Sequence, residues 1–128
     1  MAATDQVESG PLEWGKLGDV AALDVDVLPV VVQDVETNEV IMVAYMSPVS
    51  LAESVRTGTA VFSSTSRSLL HRKGETSGDI LELVDLRTNC DANSMLMLVH
   101  KLGSGACHER DADGNHYPSC FYRRLSVS

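Results

Sequence analysis

A chain of 128 residues that is 44% hydrophobic is long enough to bury the core of one domain and too short for two. Its formal charge of −8 argues against nucleic acid or an anionic membrane surface as the main partner, because both require a positive face. Met1 to Gly10 has no basic segment leading into an apolar run, and no stretch approaches the length of a membrane span, so the sequence predicts a cytoplasmic protein.

Residues 1–22 mix Gly, Pro, acidic and small residues without sustained periodicity. They predict a loosely ordered N-terminal arm with Trp14 as the group that docks it, and a domain over residues 23–128. Val27 to Asp34 and Glu39 to Tyr45 are rich in Val and Ile and flank the polar Val35-Glu36-Thr37-Asn38, which predicts a β-hairpin. Ser47 offers an N-cap oxygen, Pro48 suits the first helical position, and Thr57-Gly58 stops a short helix whose apolar face is Val49, Leu51, Ala52 and Val55. Thr59 to Thr65 reads as a third strand and Ser66 to Gly78 as a long, polar, basic loop. Ile80 to Thr88 and Ser94 to Lys101 read as strands, the second buried through Met95-Leu96-Met97-Leu98-Val99. The loop Gly103 to Ser119 leads into a last short strand, Cys120 to Leu125. The sum is an α+β fold, mostly antiparallel, with one or few short helices.

Three cysteines, Cys90, Cys107 and Cys120, cannot all pair as disulfides, and an odd set in a chain with no export signal points to metal or catalysis. Three thiolates on zinc leave the fourth tetrahedral position for water, the arrangement of a hydrolytic site. The ordinary alternative is that each cysteine packs as a small hydrophobe. Their neighbours weigh against that. Cys90 sits among the oxygen-bearing side chains of Asn89-Cys90-Asp91-Ala92-Asn93, which suit a hard cation such as magnesium, and Cys107 precedes His108, a proton-transfer group. Cys120 precedes Phe121-Tyr122-Arg123-Arg124. The cysteines lie too far apart for a zinc-finger knuckle and have to be gathered by tertiary or quaternary structure. Arg67, Arg72 and Lys73 form one basic cluster and Arg123 with Arg124 another; each is a candidate for phosphate, with solvated surface charge as the plain alternative.

Five blocks stand in order along the chain: Val31-Val32-Gln33-Asp34, Met42-Val43-Ala44-Tyr45-Met46, Arg72-Lys73-Gly74-Glu75-Thr76-Ser77-Gly78, Ala106-Cys107-His108 and Ser119-Cys120-Phe121-Tyr122-Arg123. From about Leu28 to Arg124 the chain thereby resembles the phosphoribosyl-AMP cyclohydrolase family of histidine biosynthesis. The resemblance implies an intertwined homodimer with zinc at the subunit interface, bound by Cys90 of one chain and by Cys107 and Cys120 of the other. It also implies the reaction, in which a zinc-activated water attacks C6 of an N1-substituted adenine and the N1–C6 bond opens. His108 and Glu75 become the catalytic candidates, and Arg67, Arg72, Lys73, Ser77 and Arg123 the substrate- and phosphate-binding ones.

The sequence also departs from that family. Its usual Asp-Cys-Asp-x-Asp is here Asn89-Cys90-Asp91-Ala92-Asn93, so the magnesium site of Asn89, Asp91 and Asn93 is weakened by the loss of two carboxylates. Ser63 and His71 stand where the family usually has tryptophan, Thr65 where it has arginine and Leu81 where it has glutamine. The loop between Cys107 and Cys120 is long and holds Asp111, Asp113 and His116; the histidine reads as solvated, and Asp91, Asp111 or Asp113 could supply a relocated magnesium site. The chain therefore reads as a divergent cyclohydrolase. Two alternatives stay open: a paralogue using the same zinc water on another heteroaromatic or amidine substrate, and a non-catalytic zinc-stabilised dimer.

Overall fold

The computed structural model describes residues 5–6, 12–64, 70–75 and 77–125. Its elements run β1 (Asp5–Gln6), α1 (Lys16–Ala21), β2 (Leu28–Asp34), β3 (Val40–Met46), α2 (Pro48–Thr57), β4 (Val61–Ser63), β5 (Leu70–Arg72), β6 (Leu81–Thr88), β7 (Met95–Lys101) and β8 (Arg123–Arg124). A four-stranded sheet in the order β3-β2-β7-β6 forms the body, with the pairs β4-β5 and β1-β8 beside it. The architecture is the α+β class, with two helices among the described residues and mostly antiparallel strands.

The hairpin of β2 and β3 closes as its composition predicts, with Asp34 accepting the N–H of Glu36 at 3.0 Å and the hydroxyl of Thr37 at 3.1 Å. Three features differ from the sequence reading. The pairing of β2 with β7 is parallel, a direction that side-chain alternation alone does not encode. The segment read as one long loop contains β5, which pairs antiparallel with β4. The N-terminal arm contains α1, and Trp14 does not dock, since it is 85% exposed.

Helix α2 starts and stops as its residues dictate. Ser47 is extended and its Oγ accepts the N–H of Ser50, while Ser50 Oγ accepts the N–H of Ser47. Gly58, at φ +70°, ends the helix by donating its N–H to Ser54 O. Of the predicted apolar face, Leu51 packs against the core while Val49, Ala52 and Val55 are exposed, and the fully buried residues of the helix are Ser50 and Ser54. The reason is a polar dock. Ser54 Oγ accepts the N–H of Val61 at 2.9 Å and its hydroxyl proton is within reach of Val61 O at 2.9 Å, fixing the helix to β4. Ser54→Ala strands these buried backbone groups, so it is expected to lower stability by about 1–3 kcal/mol in urea unfolding with no change in the slope.

One face of the sheet forms the core. Val30, Val32, Met97, Val99, Ile41 and Leu81 are fully buried there with Phe62, Ala60 and Ala106. Leu81 suits this apolar site, where a glutamine amide would have to find hydrogen-bond partners. The opposite face aligns Val43, Val31 and Leu96 across three strands. Val43 is 47% and Val31 36% exposed, so this face is apolar and uncovered among the described residues.

Candidate functional site

Cys120 is set by β3. Its N–H donates to Ile41 O at 2.7 Å, and the neighbouring Ser119 Oγ lies 2.8 Å from Val40 O while accepting the N–H of Phe121 at 3.0 Å. Cys107 is set by the returning loop, where Tyr117 O accepts the N–H groups of Ala106 at 2.8 Å and Cys107 at 2.9 Å. Tyr117 stacks on Tyr122 with ring centroids 3.7 Å apart, which pins the two ends of the loop together. His116, expected in solvent, is half-buried instead, its Nδ1 at 2.7 Å from Cys107 O. A backbone carbonyl facing the ring is what draws it inward.

These contacts bring two thiols together. Burial first, then repulsion from Cys107 and a hydrogen bond with it, pushes the Cys120 thiol up from its ordinary 9.0 to about 11, and the Lys73 ammonium nearby works in the opposite direction. The N–H of Glu109 points at Cys107 Sγ at 3.4 Å. Without a metal, Cys120 therefore stays protonated at neutral pH. A soft cation seated between the sulfurs has to displace that proton, so its binding is expected to weaken as pH falls.

Lys73 reaches this place because its loop is fastened at both ends. Its N–H donates to Ala60 O at 3.0 Å. Gly74, at φ +83°, admits no side chain: a Cβ there would lie 2.2 Å from the backbone carbon of Asp79. Asp79 is buried, and its Oδ1 receives the N–H of Gly105 at 3.4 Å, joining the basic loop to the strand of chain that leads into Cys107. The sequence reading missed Asp79. Its only signal was a carboxylate directly after Ser77-Gly78 and before a strand.

Other candidates take their places around this pair. Glu75 is exposed and makes no side-chain hydrogen bond or ion pair among the described residues. His108 follows Cys107 with its ring in solvent, Nε2 at 3.4 Å from Glu109 Oε1. Arg72, Ser77, Arg123 and Arg124 are exposed, as is His71 on β5; Arg67 and Thr65 lie outside the described residues. Asp111 Oδ1 accepts the N–H groups of Asp113 at 2.9 Å and Asn115 at 3.0 Å, so this carboxylate organises its own turn. Ser63 lines a cleft with Val25, Ser47, Pro48, Val49 and Leu70, away from the cysteines.

Cys90 is elsewhere. It is exposed on the turn between β6 and β7, beyond the end where Thr88 pairs with Met95, whereas Cys120 is anchored at Ile41 further along the sheet. Among the described residues of one chain, no three His, Cys, Asp or Glu side chains converge as a metal cluster. Asn89, Asp91 and Asn93 surround Cys90 on the same turn, all exposed.

The chain is a small α+β domain in which the buried Cys107 and the partly buried Cys120 lie together with Lys73 nearby, while Cys90 is exposed on the turn between β6 and β7. Residues 42–122 match the phosphoribosyl-AMP cyclohydrolase family, and the chain belongs to it. It is 44% identical over 109 residues to the phosphoribosyl-AMP cyclohydrolase of Bordetella petrii, covering 85% of this chain and 77% of that one. It is 45% identical over 98 residues to that of Archaeoglobus fulgidus, covering 77% of this chain and 84% of the relative. With the Methanosarcina acetivorans protein of the same name it shares 47% identity over 95 residues, 74% of this chain and 73% of the other.

Proposed function

We propose that this chain hydrolyses the N1–C6 bond of the adenine ring of phosphoribosyl-AMP in histidine biosynthesis, acting in the cytoplasm as a homodimer with zinc at the subunit interface. The observation that carries the reading is the contact between the Cys107 and Cys120 thiols beside Lys73, in a chain of this family. Two sulfur donors suit zinc far better than a hard cation. Cys90, displayed on its turn, supplies the third sulfur from a second copy, and the bare apolar face of Val43, Val31 and Leu96 is where two copies meet. Residues 23–128 form the catalytic domain, and residues 1–22 an arm outside it.

When bound to the three thiolates, zinc supplies the Lewis acidity that lowers the pKa of water toward neutrality. The protein residues do the rest. His108, adjacent to Cys107 with its ring exposed, takes the proton released as oxygen bonds to C6 and passes a proton to N1 as the N1–C6 bond breaks. Glu75, exposed on the basic loop, positions the purine. Arg67, Arg72, Lys73, Ser77 and Arg123 hold the two phosphoryl groups, where guanidinium forks match phosphate oxygens.

The test is turnover of phosphoribosyl-AMP by zinc-loaded protein, followed by the ultraviolet change of the opening purine and abolished by a zinc chelator. Bound zinc without turnover would shift the reading to the paralogue. One observation favours that second reading: Ser63 lines a cleft and His71 stands exposed on β5, both where the family usually carries tryptophan.

A further inference from the structure

We propose that the turn carrying Cys90 is held by an amide pair, Asn89 with Asn93, in place of a divalent cation, and that this chain binds no magnesium there. Residues 89, 91 and 93 are the positions at which the family resemblance implies a hard cation, and the donor atoms present do not fit one. Asn89 Oδ1 accepts the N–H groups of Asn93 at 2.9 Å and Ser94 at 3.0 Å. That fixes which end of the amide is oxygen, so the other end is Nδ2, and it donates to Asn93 Oδ1 at 2.7 Å. Each side-chain oxygen is engaged by N–H groups, and an approaching cation meets the protons of Nδ2 rather than a lone pair. Asp91 is the one carboxylate left, exposed and single, where magnesium demands an octahedron of oxygens and binds through charge.

The backbone closes without help from a metal. Asn89 donates its N–H to Ser94 O at 3.2 Å and accepts the N–H of Ala92 at 3.0 Å. Ala92 sits at φ +54°, a left-handed conformation that an L side chain adopts only where its surroundings enforce it. The amide pair is that enforcement, and it fixes the loop that presents Cys90. The replacement has its own logic. Two facing carboxylates repel unless a cation or a proton sits between them, whereas a single amide N–H bridges the pair. An Asn with an Asp therefore still closes the turn, and two Asp do not.

The experiment titrates magnesium into the wild-type protein and the Asn89→Asp, Asn93→Asp and doubly substituted proteins in magnesium-free buffer, following the thermal midpoint. Manganese in place of magnesium is then used to broaden the amide NMR signals of residues 89–94. The readout is binding, so its outcome is separate from whether phosphoribosyl-AMP is turned over. Wild type and both single variants are expected to show no shift in midpoint and no selective broadening at millimolar metal. The double variant is expected to start with a lower midpoint, to regain it as magnesium is added, and to show broadening confined to residues 89–94. Saturable broadening of those residues in the wild type at sub-millimolar manganese would overturn the proposal, and so would a double variant as stable as wild type and indifferent to magnesium. If the double variant does not fold, the wild-type titration decides by itself.

Discussion

Cys107→Ser is expected to abolish zinc binding at the proposed site and to reduce turnover by more than about 100-fold, since loss of a supporting outer-shell group alone costs 10- to 100-fold. The substitution is nearly isosteric at a buried site, so the fold should survive. Three contacts keep the position in place independently of the sulfur: the N–H bond to Tyr117 O, the His116 contact with Cys107 O and the stacked tyrosines. Circular dichroism and thermal unfolding check that the loss is of metal rather than of structure. A Cys107→Ser protein that retained its full zinc would remove the thiol pair from the metal site.

Val43→Arg is expected to dissociate the proposed homodimer and take the activity with it. Val43 lies on the face opposite the core and is 47% exposed, so the isolated chain tolerates a charge there. In a two-fold interface the charge enters twice and is unpaired each time, which costs several kcal/mol. Sedimentation velocity should show a folded monomer that no longer completes its site. A dimer of unchanged affinity would place the subunit contact on another surface.

Much of this was legible in the sequence, for physical reasons that differ from element to element. Ser47, Pro48 and Gly58 specify α2 through local chemistry, and the bounds follow from them. The hairpin is specified the same way, by two β-branched runs around a polar turn. That α2 fully buries Ser50 and Ser54 was not legible, because they face inward to bond the backbone, and a reading by hydrophobic period looks for Val and Leu. The parallel contact of β2 and β7, and the return of β5 onto β4, are long-range choices that no local residue announces.

At the site, the odd cysteine count carried the reading, and the structure adds why Cys107 and Cys120 belong together while Cys90 does not. The scaffold that makes the pair was hidden. Asp79 and Ser119 act through backbone contacts and the two tyrosines through a stack of rings five residues apart, which leave little trace in residue type alone. The weakened magnesium turn was legible as lost charge, but not as a gained hydrogen bond. A carboxylate-to-amide change reads as a deletion until Asn89 Nδ2 is seen 2.7 Å from Asn93 Oδ1.

The central claim is that each site is shared between two copies, and mixing two inactive variants tests it most directly. Cys90→Ser and Cys107→Ser proteins, each expected to be inactive alone, are co-expressed or unfolded and refolded together, and turnover of phosphoribosyl-AMP is measured. In a mixed dimer one site carries both lesions and the other carries none, and random pairing makes half the dimers mixed, so recovery of about one quarter of wild-type activity is predicted. No recovery from a population shown to contain mixed dimers, or full activity from Cys90→Ser alone, would contradict a site built from both chains.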